Sequence, residues 1–180
     1  YAGLLLKKEI EYLGNVLSNP KSPFVAIIGG AKISSKFSVL KRMLGLVDTL
    51  VIGGGMVFTL LKAQGYEVGN SLVEESLLEE AKSFLAEASN SKTQVLLPKD
   101  VLAADAFDNN ANYDEVSIDS IPADRMGLDV GPQTIAQLEP ILKEASTVLW
   151  NGPLGVFEMD NFANGTMKVA QFIAESDRIF

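Results

Sequence analysis

Two short runs constrain this chain more than anything else in it. Phe24-Val25-Ala26-Ile27-Ile28 is unbroken apolar and ends on Gly29-Gly30; Thr49-Leu50-Val51-Ile52 ends on Gly53-Gly54-Gly55. A run of that length without polar alternation reads as a strand buried on both faces, the kind found in parallel sheets covered by helices. Segments of helical spacing separate such runs. Ser34 to about Gly45 places Phe37, Leu40, Met43 and Leu44 on one face, and Met56 to Gln64 is also helical. Ser71, with Glu74 three residues on, reads as a capping box for a helix to about Ala88. Gln94 to Leu97, stopped by Pro98, and Thr147 to Trp150 supply two more strands. Pro132 suits the first turn of a helix to about Ala145, and Asp160 to Glu175 is the last helix. Residues 2–18 carry Leu5, Leu6, Ile10, Leu13 and Leu17 at helical spacing before Asn19-Pro20. Val101 to Ile118 departs from the rhythm; its Asp/Asn-rich turns predict a small β-hairpin insertion. Met126 to Gly131 reads as a loop.

The predicted fold is α/β and Rossmann-like: a doubly wound, mostly parallel sheet with helices on both faces. Ligands of such sheets sit beyond the C-terminal strand ends, at the switch point of the strand order. The segments 29–36, 53–56, 126–131 and 151–158 are therefore where chemistry is expected.

Composition removes whole classes of function. The 180 residues contain no cysteine, so a disulfide scaffold and a thiolate metal site are excluded. They contain no histidine, which removes imidazole acid–base work and His-ligated zinc. The formal charge of −8 disfavours nucleic acid and anionic membranes as partners. No run of ~18 apolar residues offers a membrane span, and Leu4-Leu5-Leu6 lacks the cleavage pattern of a signal peptide. The chain opens on Tyr1, which suggests a start inside a longer protein.

The segment Gly29-Gly30-Ala31-Lys32-Ile33-Ser34-Ser35-Lys36 carries the strongest chemical signal. Small residues let backbone approach a ligand, a helix N-terminus presents free N–H groups to phosphate, and two lysines four apart add cationic heads. The same residues also suit an ordinary strand-to-helix turn with two solvated lysines. The order is not that of a Walker A loop. Gly53-Gly54-Gly55 fails the Gly-x-Gly-x-x-Gly fingerprint, because Phe58 stands where the third glycine belongs; that counts against a dinucleotide-dependent oxidoreductase. In Trp150-Asn151-Gly152-Pro153-Leu154-Gly155-Val156-Phe157-Glu158, two glycines and a proline stiffen a loop, Asn151 offers an amide, and Glu158 can accept two hydroxyls. A purely structural loop fits that composition too. Glu74-Glu75 and Glu79-Glu80 read as a solvated helix face, and Phe37, Phe58, Phe84 and Phe162 as core.

Taken in order, GGAKISSK, GGGMVFTLLKAQG, LPKD, MGLDVGP and WNGPLGVFE resemble the phosphoglycerate kinase family across essentially the whole chain. That family moves a phosphoryl group between 1,3-bisphosphoglycerate and MgADP, giving 3-phosphoglycerate and ATP in glycolysis, and its C-terminal lobe binds the nucleotide. The resemblance implies that residues 1–18 are an inter-lobe linker helix and that 19–180 are an incomplete nucleotide-binding domain. It implies that Lys32 reaches the nucleotide phosphates and that Lys36, the catalytic candidate, sits beside the transferring group. Gly53, Gly54, Gly127 and Leu128 would line the adenine slot. Asn151 would lie near the phosphates, Pro153 against the nucleoside and Glu158 on the ribose. Many family members have Asp at position 35, where this chain has Ser. The substrate lobe would precede Tyr1, and the family's later loop serving phosphate and Mg²⁺ would follow Phe180. The expectations that follow are a cytoplasmic monomeric parent and an isolated fragment without turnover that self-associates through uncovered apolar surface. The rival reading is a non-catalytic nucleotide-binding or structural α/β domain.

Overall fold

A computed structural model describes residues 20–176 of the chain. The predicted helix over 2–18, and its role as a linker, lie outside the described residues. Four parallel strands form the main sheet: β1 (Phe24–Ile28), β2 (Thr49–Ile52), β3 (Gln94–Leu96) and β7 (Thr147–Asn151), in the order β3-β2-β1-β7. Five α-helices lie in the described chain: α1 (Phe37–Met43), α2 (Val57–Ala63), α3 (Leu78–Ser89), α4 (Pro132–Glu144) and α5 (Asn164–Ala174).

Every residue of β1 is buried, as its unbroken apolar run requires. Alternate β1 residues feed opposite cores. Phe24, Ala26 and Ile28 pack with Phe37, Leu40 and Met43 of α1, Leu60 of α2 and Phe84 of α3. Val25 and Ile27 pack on the other face with Leu138 and Leu142 of α4 and Val169 and Phe172 of α5. The sheet is therefore doubly wound, with helices on both faces. Phe37, Phe58, Phe84 and Phe162 are all core residues.

The region after β3 corrects the sequence reading in two places. The hairpin is present as β4 (Asp100–Ala104) and β5 (Tyr113–Ser117), but it is not alone. Met126–Val130, read as a loop, is a strand, β6, antiparallel to β4. The result is a second, three-stranded sheet of order β5-β4-β6. Its Val101 and Ala103 pack on Val57, Phe58 and Leu61 of α2, which docks the small sheet against the large one. At its far end Asp100 accepts the amides of Gln133 and Thr134, satisfying donors that the first turn of α4 cannot use internally.

Three helix starts also differ. The stretch from Ser34 opens as a 3₁₀ turn, Ile33–Ser35, before α1 begins at Phe37. Ser71 and Glu74 do not form a capping box, because α3 begins only at Leu78 after a 3₁₀ turn at Glu75–Leu77. The Ser71 hydroxyl instead accepts the Gly127 amide, and the Glu74 carboxylate turns to Ser34. Asp160–Phe162 is likewise a 3₁₀ turn ahead of α5.

Candidate nucleotide-binding cleft

The strand order reverses at β1, whose neighbours are β2 on one side and β7 on the other. Beyond the C-terminal ends of these three strands the chain is almost all glycine, and the backbones interlock. The Gly29 N–H donates to the Asn151 carbonyl, Gly53 N–H to Ile28, Gly54 N–H to Leu154, and Met56 N–H to Gly30. Side chains would prevent this. A Cβ on Gly54, whose φ is +72°, would lie 2.6 Å from the Gly30 carbonyl oxygen. The glycines thus first serve close packing of three loops, and that packing fixes the floor from which a cleft opens.

The cleft has a volume of about 480 Å³, within the range of small-molecule sites. One wall is Gly30-Ala31 and Gly54-Gly55. The opposite wall is β6, from Met126 to Val130. Pro153 to Val156 close one end and Phe58 lies at the base. Gly127 is forced by its neighbour: a Cβ there would sit 2.1 Å from the Phe58 ring. The Phe58 ring edge fills the space a side chain would take, so this part of the cleft wall is bare backbone beside an aromatic ring. The mouth carries Leu72, Phe107 and Glu158, all exposed. Two large apolar side chains at the rim of an apolar slot suit a flat heteroaromatic ring, and the carboxylate beside them suits hydroxyls.

The structure brings together part of the set that the sequence singled out. Gly54, Gly127, Leu128, Pro153 and Glu158 line the cleft. Gly53 does not. It is buried one residue deeper, where a Cβ would meet the Leu154 side chain at 2.3 Å. Lys32, Lys36 and Asn151 lie outside the lining, at the strand tips. There the Lys36 ammonium donates to the Asn151 side-chain oxygen, and its Cε passes 3.5 Å from where a Gly30 Cβ would be. Lys32 is exposed. The expected array of free N–H groups before α1 is partly used up: the Ser34 amide donates to Glu74, at 2.9 Å.

Among the lining residues that sequence reasoning did not single out are Leu72, Phe107 and Asp129. Phe107 fell in a predicted turn and Leu72 at the start of a predicted helix, and their exposure at a rim is a tertiary fact. Asp129 left a signal. A lone acid between Leu128 and Val130 in an apolar strand needs partners or a function. The structure supplies partners: its carboxylate accepts the Val130 amide at 2.9 Å and the Gly165 amide, in the first turn of α5, at 2.8 Å. Burial outweighs those bonds and pushes its pKa up to about 6. An acid raised from 3.8 to about 6 holds its proton more tightly folded than unfolded. Its contribution to stability is therefore fully present below the unfolded value and is lost as pH rises through about 6. Two pKa units correspond to ~3 kcal/mol. In urea titrations at pH 4 and pH 7, wild type and Asp129→Asn should differ in their pH-dependent change by up to that amount, wild type losing more as pH rises. Parallel profiles would show that Asp129 does not titrate in this window.

The model of the phosphoglycerate kinase family matches residues 1–180. The chain belongs to the phosphoglycerate kinase family. It is 55% identical over 177 residues to the phosphoglycerate kinase of Chloroherpeton thalassium, covering 98% of this chain and 45% of that protein. It is 51% identical over 174 residues to the chloroplastic phosphoglycerate kinase of Volvox carteri, covering 97% of this chain and 38% of the relative. Among solved structures, phosphoglycerate kinase from Coxiella burnetii superposes with a TM-score of 0.92 at 41% identity, over 97% of this chain and 45% of the other. The chain thus spans less than half the length of these phosphoglycerate kinases. Among the described residues no helix is long and apolar enough to cross a membrane.

Proposed function

We propose that this chain supplies the nucleotide-binding part of a phosphoglycerate kinase, and that the whole protein transfers a phosphoryl group between 1,3-bisphosphoglycerate and ADP. The observation that carries the reading is a largely apolar cleft of about 480 Å³ opening beside glycine tips that lead to two lysines. Adenine lies between Gly127-Leu128 and the Gly54-Gly55 wall, under the rim side chains Leu72 and Phe107. The ribose hydroxyls meet Glu158, and Pro153 packs on the nucleoside. The phosphates run out over the strand tips toward Lys32, Lys36 and Asn151. Gly53 contributes indirectly, by keeping Leu154 close behind the slot. We place the whole protein in the cytoplasm.

The chemistry asks little of histidine, which this chain lacks. An acyl phosphate is already a good donor, so the enzyme's task is to align two anions and neutralise charge that spreads over the transferring group. Lysine heads at the strand tips do this. Mg²⁺ enters with its substrate as MgADP or MgATP. Among the described residues no cluster of three His, Cys, Asp or Glu side chains is arranged to hold a metal by itself.

Calorimetric titration of the chain with ADP and with NAD tests the reading. ADP should bind and NAD should not. Glu158→Ala should weaken adenosine and ADP alike, by about tenfold, the equivalent of one hydrogen-bonded carboxylate contact. Binding of NAD in preference to ADP would favour a dinucleotide-dependent oxidoreductase. Glu158→Ala with unchanged affinity for both ligands would remove Glu158 from the ribose site.

A further inference from the structure

Residues 70–74 connect α2 to the turn before α3 without regular structure of their own, yet they are pinned at three points. The Asn70 amide donates to the Arg125 carbonyl at 2.7 Å. The Ser71 hydroxyl accepts the Gly127 amide at 3.0 Å. The Glu74 amide donates to the hydroxyl of buried Thr59, on α2, at 3.0 Å. Asn70 and Leu72 of this strut face the nucleotide cleft. From the strut's far end the Glu74 carboxylate reaches a residue 40 positions earlier. One oxygen accepts the Ser34 amide at 2.9 Å, and the other accepts the Ser34 hydroxyl at 2.7 Å.

Ser34 is the middle of the 3₁₀ turn that joins Lys32 to Lys36. That turn has little else to hold it. It is three residues long, closed by the Lys36 amide on the Ile33 carbonyl and the Ser35 hydroxyl on the Lys32 carbonyl, with Ile33 alone buried. Short 3₁₀ turns have poor intrinsic geometry and take their position from what they touch. Glu74 is near the surface but is not a free carboxylate. Burial works against its charge, but the Ser34 hydroxyl, the Ser34 and Ile33 amides and the nearby Lys32 outweigh this and hold it below the usual carboxylate value. A two-legged, charge-assisted contact fixes orientation as well as distance.

We propose that Glu74 is a positioning residue: it locks the lysine turn to the strut that also walls the adenine cleft, so the base and the cationic heads keep one fixed separation. The inference rests on the nucleotide reading above. Loss of the lock should loosen the phosphate end and leave the adenine end intact.

The test is calorimetry of the chain with adenosine and with ADP, for wild type, Glu74→Ala, Glu74→Gln and Ser34→Ala. Wild type should bind ADP more tightly than adenosine. Glu74→Ala should lose about tenfold in ADP affinity while adenosine stays within about twofold. Glu74→Gln, which can still accept the Ser34 amide, should recover most of the difference. Ser34→Ala keeps the amide leg and should lose less than Glu74→Ala; it also decides the matter if Glu74→Ala does not fold. Equal losses for both ligands, or no loss for either, would overturn the positioning role alone. A wild-type chain that binds neither ligand would overturn the nucleotide reading, and this inference with it.

Discussion

Replacing Lys36 by alanine, in a full-length protein carrying this chain, should lower kcat by about 10²–10³-fold, the scale of one deleted transition-state donor. The change in KM for nucleotide should be far smaller. The split follows from where the side chain lies. Lys36 is outside the lining of the cleft, and its ammonium is held by the Asn151 side chain at the tips of β1 and β7. A charge held there contributes little to recognition of the base. On the proposed function it should contribute most when negative charge builds on the transferring phosphoryl group, so its loss should appear in kcat. Steady-state kinetics with varied ADP decide the matter. An unchanged kcat would make the lysine turn an ordinary strand-to-helix connection.

Gly29→Ala should destabilise the fold by about 3 kcal/mol, the upper part of the range for overpacked sites. The added Cβ would lie 1.9 Å from the Pro153 carbonyl oxygen and 2.7 Å from that of Gly152. Both are backbone atoms and cannot rotate away. Gly152 is itself confined: its φ is +91°, and a Cβ on it would meet the Gly29 oxygen at 2.3 Å. The β1 and β7 tips therefore part together or not at all. For a chain of this size the loss corresponds to a melting temperature roughly 6–12 °C lower. Gly65→Ala is the control. Unlike Gly29 it has positive φ, +95°, but nothing lies within 4 Å of its Cβ position, so only backbone strain of ~1–2 kcal/mol applies. If the two variants melted together, the interlock would carry no weight.

The contrast between these glycines shows what the sequence could and could not convey. The main sheet was legible because its signal is local. The run Phe24–Ile28 declares its own burial, and Pro132 and the apolar spacing after it declare α4. Strand β6 was not legible. Met126-Gly127-Leu128-Asp129-Val130 alternates neither cleanly nor apolarly, because Gly127 makes room for Phe58 and Asp129 caps the start of α5. Its strand character comes from pairing with β4, across a register shift between Leu102 and Ala103. The capping box failed for a similar reason. Ser71 and Glu74 have the right types and spacing, but their partners lie 56 and 40 residues away. The site divides the same way. Glycine motifs and Glu158 could be named from resemblance, whereas Leu72 and Phe107 acquire a role only once separate loops meet at one rim.

On the proposed function, the cleft between Gly54-Gly55 and β6 holds the nucleoside of ADP. The most direct measurement is a crystal structure of the chain with MgADP. The expected result is adenine density in the slot beside Gly127 and Leu128, the ribose hydroxyls within hydrogen-bond distance of Glu158, and the phosphates directed toward Lys32 and Lys36. ADP bound elsewhere on the molecule, or bound with its phosphates in the slot and its base at the strand tips, would contradict it.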